Sequence, residues 1–326
     1  MRKLSRQNHS ITLASKWPSN KLTHIPVLLK ETVDYLNIKR DGIYLDGTVG
    51  LGGHAAAILS LLSENGTLVG IDLDEEALTR CKESIGAASN CHLISDTFSN
   101  IPSILETLNL SQIDGLLLDL GISSLQLDSP KRGFSYRFNG PLHMGFSMTA
   151  SITANEIINT WSESELRKII KKYGEDRMAG SVAKAIVQQR SDSDIDTTTQ
   201  LRRVISTVVP PRYLNKSLSR IFQALRISVN SELDALTEVL KNFMNYLKPG
   251  GRMVTISYHS LEDRIVKQAF RGHAKECICP PKLPICQCDH KAAVQILTPH
   301  PVVPSEEEII ENSRSRSAKL RAVERL

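Results

Sequence analysis

Several glycines and an aspartate follow the first candidate strand, in the segment Asp46–His54. Glycines let a backbone turn sharply and approach a ligand closely, and the N-terminus of the helix expected at His54 offers N–H groups to that ligand. The spacing Gly50-x-Gly52-x-x-Ala55 matches the permissive form of the dinucleotide-binding motif. The segment therefore predicts a nucleoside-binding turn, although a tight turn without a ligand needs the same residues.

Two aspartates favour one kind of nucleoside. Asp46 precedes the glycines, where its charge opposes a pyrophosphate but suits the ammonium group of an amino acid. Asp72 ends the second candidate strand, where a carboxylate can accept hydrogen bonds from ribose hydroxyls. S-adenosylmethionine carries both groups, so we predict it as the cofactor, with NAD as the alternative.

Phe98 follows the third candidate strand and could stack on adenine, although a single Phe also suits the core.

Four cysteines form a short loop stiffened by prolines: Cys277, Cys279, Cys286 and Cys288. Four thiolates can hold zinc tetrahedrally, and a site with four protein ligands is structural because no coordination position stays open. The C-x-C spacing is tighter than the usual C-x2-C spacing. Reduced thiols and a redox-sensitive pair are therefore the alternatives to a structural zinc.

Alternating strands and helices must position these groups. Short apolar runs predict strands at Ile43–Asp46, Thr67–Asp72, Cys91–Ile94, Gly115–Leu120 and Arg252–Ser257. Helical periodicity between them predicts a parallel sheet covered on both faces. We expect an α/β, Rossmann-like catalytic domain formed by residues 24–123 and 231–326, interrupted by a helical insertion at residues 124–230.

Composition excludes several classes of protein. The 326 residues are 41% hydrophobic and 23% charged, unlike disordered, collagenous or coiled-coil chains. No apolar run approaches the ~18–20 residues of a membrane span, so no membrane partner is expected. Few, unevenly placed cysteines favour a reducing compartment, and we expect a cytoplasmic protein. Residues 1–23 hold five basic residues and no acid, which predicts a disordered basic arm, with a transit peptide as the alternative.

A basic run lies within the predicted insertion. Between Thr197 and Ser231 the sequence has no acidic residue and six basic ones: Arg202, Arg203, Arg212, Lys216, Arg220 and Arg226. Such a run can follow a phosphate backbone, although a solvated helix face has the same composition. Aromatic residues make up only 5%, which favours a pocket for a single flipped base over a broad stacking platform.

Long motifs connect the chain to a known family. They are His24–Leu29, Asp46–His54, Leu118–Asp128, Arg132–Ser135, Phe222–Ile227, Val229–Leu233, Ser257–Arg264 and Arg314–Arg321. With these motifs the chain resembles the ribosomal RNA small subunit methyltransferase H (RsmH, or MraW) family from about residue 24 to the C-terminus. The resemblance implies a class I S-adenosylmethionine-dependent methyltransferase fold.

The resemblance also implies an activity and a set of contacts. The expected reaction is methylation of the exocyclic N4 of a decoding-region cytidine, cytosine 1402 of 16S rRNA. The expected partner is small-subunit rRNA, within the assembled or assembling 30S subunit, and the oligomeric state stays open. By family analogy, these residues contact the cofactor: Gly52, Gly53, His54, Asp72, Phe98, Asp119 and Gln126.

Two residues are candidates for the chemistry itself. Asp119 ends the fourth candidate strand and could contact the cofactor, hold the cytosine amine, or do both, whereas a buried ion pair or helix cap is the structural alternative. His259 follows the strand ending at Ser257 and could hold the base or accept a proton. Ser260 and Asp263 also have the spacing of a capping box for the next helix.

One segment departs from the family pattern. Leu142–Phe146 lacks an acid and an arginine that the family usually carries there. Because this stretch is expected near the substrate, a non-catalytic RNA-binding or ribosome-assembly factor is the first alternative. A nicotinamide-dependent oxidoreductase is the second.

Overall fold

The computed structural model describes residues 26–86, 88–279, 287–288 and 290–326. The predicted basic arm and Cys286 lie outside the described residues. Within this part of the chain one sheet contains the strands β1 (Ile43–Asp46), β2 (Thr67–Asp72), β3 (Cys91–Ser95), β4 (Ile113–Asp119), β5 (Leu247–Ser257), β6 (Val294–Ile296) and β7 (Lys319–Arg325).

The strands lie in the order β3-β2-β1-β4-β5-β7-β6. The pairs from β3 to β5 are parallel, and β7 runs antiparallel to both β5 and β6. Strand β4 is apolar along most of its length and buried, as a central parallel strand must be. This sheet confirms the predicted α/β, Rossmann-like fold.

Helices cover both faces of the sheet. One face carries α1 (Leu29–Leu36), α2 (Gly53–Leu61) and α3 (Glu75–Ile85). The other carries α4 (Ile101–Thr107) and two later helices, α11 (Glu232–Asn242) and α12 (Ser260–His273). A short helix, α13 (Glu306–Glu311), precedes β7. Each face therefore buries its own apolar cluster, which holds the strand ends in a fixed relation.

The chain between β4 and β5 is helical. It contains α5 (Ser124–Asp128), α6 (Ala154–Thr160), α7 (Glu163–Gly174), α8 (Ala179–Asp192), α9 (Thr198–Val208) and α10 (Pro211–Asn230). These helices share a separate apolar cluster that includes Ile157, Leu166, Val182, Leu201 and Ile221. Helix α10 begins at Pro211, whose fixed φ suits a first helical position, and returns the chain to the sheet.

Local details differ from the sequence predictions. Strand β5 begins at Leu247 rather than Arg252, because the Pro-Gly-Gly segment continues the strand. The capping box of α12 joins His259 and Glu262 rather than Ser260 and Asp263. No helix among the described residues is long and apolar enough to cross a membrane.

Candidate active site

A cavity of about 610 Å3 opens at the carboxyl ends of β1, β2 and β4. Residues of α10 and the segment after β5 also line it. Small-molecule sites in proteins measure roughly 300–1,000 Å3, so the cavity has the size of a ligand site. After β1 the chain adds β2 toward one edge of the sheet, and after β4 it adds β5 toward the other edge, so the strand order reverses between β1 and β4. Open α/β sheets bind ligands at such a point.

The glycine turn forms one wall of the cavity. Gly50 (φ 52°) and Gly52 (φ 84°) have left-handed backbones that favour glycine. A Cβ on Gly52 would lie 2.7 Å from the sulfur of Cys81, and one on Gly53 would lie 2.3 Å from Cγ of Pro26. Gly53 lines the cavity and begins α2, whereas Gly52 packs against α3. The turn thus brings the N–H groups of the first helical turn next to the cavity.

Asp72 lines the cavity beside the glycine turn, at the end of β2. Its Oδ2 accepts the Gly50 N–H at 2.8 Å, and its Oδ1 accepts the Asp74 N–H at 2.9 Å. Burial raises its pKa to about 6, against the effect of these backbone donors. Because each carboxylate oxygen has a further lone pair, the oriented Asp72 can also accept hydroxyl hydrogens from a ligand.

His54 and Asp46 have different surroundings. His54 lines the cavity, with Nε2 3.0 Å from the Val27 carbonyl oxygen, so Nε2 carries the proton and Nδ1 is the acceptor. Burial lowers the pKa of His54, which keeps the ring neutral. Asp46 is only 1% exposed and accepts the Thr48 N–H at 3.1 Å. It therefore lies behind the turn, and the expected contact between Asp46 and an ammonium group has no counterpart in this geometry.

Asp119 ends β4 and lines the cavity beside Tyr258. The Tyr258 hydroxyl donates to Asp119 Oδ1 at 2.8 Å, and Asp119 Oδ2 lies 3.7 Å from His54 Nδ1. Burial raises the pKa of Asp119 to about 7, and the tyrosine hydrogen bond opposes that rise. Asp119 therefore exchanges a proton near neutral pH, as a catalytic acid or base requires.

Sequence reasoning missed Tyr258 as a site residue. It follows directly after β5, and β5 is the neighbour of β4 in the sheet. Parallel neighbours end at the same edge, so the first residue beyond one strand can reach the last residue of the next. The position after the strand ending at Ser257 was thus the signal that could have identified Tyr258.

Gln126 and Phe98 complete the set expected to contact the cofactor, and both line the cavity. The Gln126 amide donates to Asp74 Oδ2 at 2.9 Å, and its oxygen accepts the Ser123 N–H at 3.1 Å. Ser123 and Gln126 form the capping box at the start of α5. These bonds hold the Gln126 side chain in the cavity wall. Phe98 begins the short 3-10 turn after β3. The structure therefore brings six of the seven expected residues to one cavity, with Gly52 just behind it.

His259 lies behind the residues that line the cavity rather than among them. It is the N-cap of α12, where Nδ1 accepts the Glu262 N–H at 3.4 Å. Its Nε2 lies 3.1 Å from Glu262 Oε1. Glu262 and Glu232 line the cavity, whereas His259 does not. The predicted contact between His259 and a reacting base stays a prediction, and the geometry gives the ring a role in fixing Glu262.

An ion pair between Arg226 of α10 and Glu232 of α11 forms part of the cavity wall. Arg226 donates through Nε and a terminal nitrogen to the two oxygens of Glu232, both at 2.9 Å. A bidentate pair that is largely shielded from solvent has a fixed geometry. Arg226 therefore belongs to the cavity wall, and it is not a surface cation as the basic run suggested.

The segment Leu142–Phe146, which departs from the family pattern, lies against α10 at the same part of the cavity wall. Asn230 donates to the Met144 carbonyl at 2.8 Å and accepts the Phe146 N–H at 2.7 Å. Phe146 lines the cavity. Gly145 is buried, and a Cβ there would lie 2.7 Å from the Cβ of Ala150. In this packing a side chain at position 145 does not fit without movement of its neighbours.

The sulfur atoms of Cys277, Cys279 and Cys288 lie within 4.8 Å of one another, away from the cavity lining. Cys286, the fourth predicted ligand, lies outside the described residues.

Comparisons with known proteins identify the family. The MraW methylase family model matches residues 21–326. The Ribosomal RNA small subunit methyltransferase H of Halothermothrix orenii is 46% identical over 308 residues, 94% of this chain and 99% of that protein. The protein of the same name from Caldicellulosiruptor saccharolyticus is 48% identical over 304 residues, 93% of this chain and 99% of that protein.

A solved rRNA methylase from Streptococcus thermophilus has a TM-score of 0.41 and 12% identity, covering 93% of this chain and 99% of that chain. The family match extends over nearly the whole chain, and the relatives share almost half of its residues over the same length. The cavity geometry and these matches agree with the family named from the motifs. The chain therefore belongs to the MraW methylase family.

Proposed function

We propose that this chain transfers a methyl group from S-adenosylmethionine to the N4 amine of a cytidine in small-subunit rRNA. The observation that carries the proposal is the position of Asp119, a half-buried carboxylate that lines the same cavity as Asp72, is held by the Tyr258 hydroxyl, and has its pKa raised to about 7 by burial. Membership of the MraW methylase family and the names of the relatives support the same reaction.

The cavity suits S-adenosylmethionine by the chemistry of its walls. Asp72 has lone pairs for ribose hydroxyls, the turn around Gly50 lets a ligand approach the backbone, and Phe98 offers a ring face for adenine. When bound, the cofactor supplies an electrophilic methyl group on its sulfonium sulfur. The protein must then align the cytosine amine with that methyl group, because the amine lone pair is delocalised and a poor nucleophile.

Asp119 is the group that we assign to the amine. No described residue donates a hydrogen bond to its Oδ2, while Tyr258 holds Oδ1. Oδ2 can accept an amine N–H and so stabilise the positive charge that develops on N4 during transfer. The neutral His54 ring lies beside Oδ2, with Nδ1 at 3.7 Å, and because burial lowers its pKa, a proton taken from the amine stays on Asp119 rather than passing to the ring.

The rRNA contact is assigned to the helical insertion, residues 124–230. Four basic residues of α9 and α10 are exposed: Arg202, Arg203, Arg212 and Lys216. The Arg212 guanidinium lies 4.6 Å above the ring of Tyr213, which is 51% exposed. Exposed cations beside an exposed ring suit the phosphates and bases of RNA.

The finer target is the decoding-region cytidine 1402 of 16S rRNA, reached in the cytoplasm on the assembled or assembling subunit. The test uses the purified full chain, labelled S-adenosylmethionine and small subunits that lack the modification, with nucleosides identified by mass spectrometry. We expect N4-methylcytidine with the wild-type chain and with Asp34→Asn, an exposed control, but not with Asp119→Asn.

Two results would contradict the proposal. Binding of the subunits without methyl transfer would make the chain an assembly factor. Tight binding of NAD without binding of S-adenosylmethionine would favour an oxidoreductase.

A further inference from the structure

Three cysteines of the loop between α12 and β6 lie close together. The sulfurs of Cys277, Cys279 and Cys288 are all within 4.8 Å of one another, and those of Cys277 and Cys288 are 3.7 Å apart. A disulfide would bring two sulfurs to ~2.05 Å. The three sulfurs thus have the spacing of ligands around a common centre, rather than that of a bonded pair.

Backbone N–H groups point at each of these sulfurs. The Cys279 N–H donates to Cys277 Sγ at 3.4 Å, and the Ile278 N–H donates to Cys288 Sγ at 3.5 Å. The Gln287 N–H donates to Cys279 Sγ at 3.4 Å. Such N–H···S hydrogen bonds are of the kind that orient the ligands of a metal site.

The other described cysteines provide a contrast. Cys81 is buried, and burial raises its pKa to about 12. Burial likewise raises the pKa of Cys91 to about 11. Both are inert thiols of the core, whereas Cys277 is exposed and Cys279 and Cys288 are half-buried.

Three cysteine sulfurs within 4.8 Å of one another can bind one metal ion in common, which displaces the thiol protons. Soft thiolate ligands favour zinc among the common divalent cations. We infer that Cys277, Cys279 and Cys288 bind a structural Zn2+ ion.

The loop connects α12 to β6, so an ion bound there would have a structural role. Helix α12 ends at His273, whose carbonyl accepts the Ala293 N–H at 2.8 Å just before β6. That bond closes the base of the loop, and a metal bound by Cys277, Cys279 and Cys288 would join its two arms a second time. None of the three cysteines lines the cavity, so this inference does not depend on the proposed function.

The test measures metal content by mass spectrometry in the full chain, expressed with zinc and purified without chelators. We expect about one zinc per chain in the wild type and in the matched control Cys91→Ser, and less than about a tenth of that in Cys277→Ser and Cys279→Ser. Circular dichroism checks that each variant is folded.

Cobalt provides a second measurement that needs no variant. Replacement of zinc by Co2+ in the wild-type chain should give an intense thiolate-to-cobalt charge-transfer band. A wild type that binds neither zinc nor cobalt would overturn the inference. So would unchanged zinc in Cys277→Ser, or a Cys277–Cys288 disulfide in protein purified without oxygen.

Discussion

Replacing Tyr258 by phenylalanine removes the hydroxyl that donates to Asp119 at 2.8 Å but keeps the ring that packs against Gly121. A hydrogen bond to a charged group is worth ~1.5–3 kcal/mol. Since ~1.4 kcal/mol corresponds to one pKa unit, the change should raise the pKa of Asp119 by about 1–2 units. The wild-type pKa is about 7, so Asp119 of the variant should titrate at about pH 8–9.

The pH dependence of methyl transfer should report this shift. Asp119 accepts the amine hydrogen only as a carboxylate, so the rate should rise as the side chain ionises. At about pH 7 the variant should be roughly 5–50-fold slower than the wild type, because a smaller fraction of Asp119 is ionised. Well above the new midpoint, the two rates should converge.

The assay is single-turnover transfer to undermethylated small subunits across about pH 6–10, with the affinity for S-adenosylmethionine measured in parallel. Tyr35→Phe, which alters a half-buried tyrosine outside the cavity, is the control. An equal loss of rate at every pH would refute the reasoning, because it would make Tyr258 a purely structural residue. An unchanged midpoint would refute it equally.

Four further predictions concern other parts of the molecule. Asp72→Ala should weaken S-adenosylmethionine binding by ~1–3 kcal/mol in calorimetry, since ribose hydroxyls lose their acceptor; unchanged affinity would remove Asp72 from the site. Gly52→Ala should lower the free energy of unfolding by ~1–3 kcal/mol in urea, because φ is 84° and the new Cβ would lie 2.7 Å from a cysteine sulfur; full stability would contradict the packing. The double variant Arg202→Glu, Arg203→Glu should weaken subunit binding and flatten its salt dependence without changing cofactor affinity. Burial raises the pKa of Asp119 from 3.8 to about 7, so the folded state loses stability as pH rises through that interval; Asp119→Asn should therefore raise the Tm more at about pH 8 than at about pH 5, and an equal change would contradict the raised pKa.

The sequence sufficed to place strands β1 to β4 because they are short, largely apolar runs. The predicted bounds of β1 and β2 are those observed, at Ile43–Asp46 and Thr67–Asp72. Glycines and an aspartate at the strand ends also indicated the cavity, since carboxyl ends of parallel strands meet at one edge. The local sequence pattern was enough for features that depend on one strand and the turn after it.

Contacts between elements distant in sequence could not be predicted in this way. Tyr258 meets Asp119 only because β5 lies beside β4, a relation that periodicity does not specify. Asp46 has the same strand-end position as Asp72, yet it is buried behind the turn by the packing around it. Likewise, Arg226 belongs to a basic run in sequence but pairs with Glu232 at the cavity wall.

The most direct test of the central claim maps N4-methylcytidine in small-subunit rRNA, nucleotide by nucleotide, in cells with and without the gene. The proposed function predicts that the decoding-region mark disappears on deletion, returns with the wild-type chain, and stays absent with Asp119→Asn. Persistence of the mark in the deletion strain would contradict it.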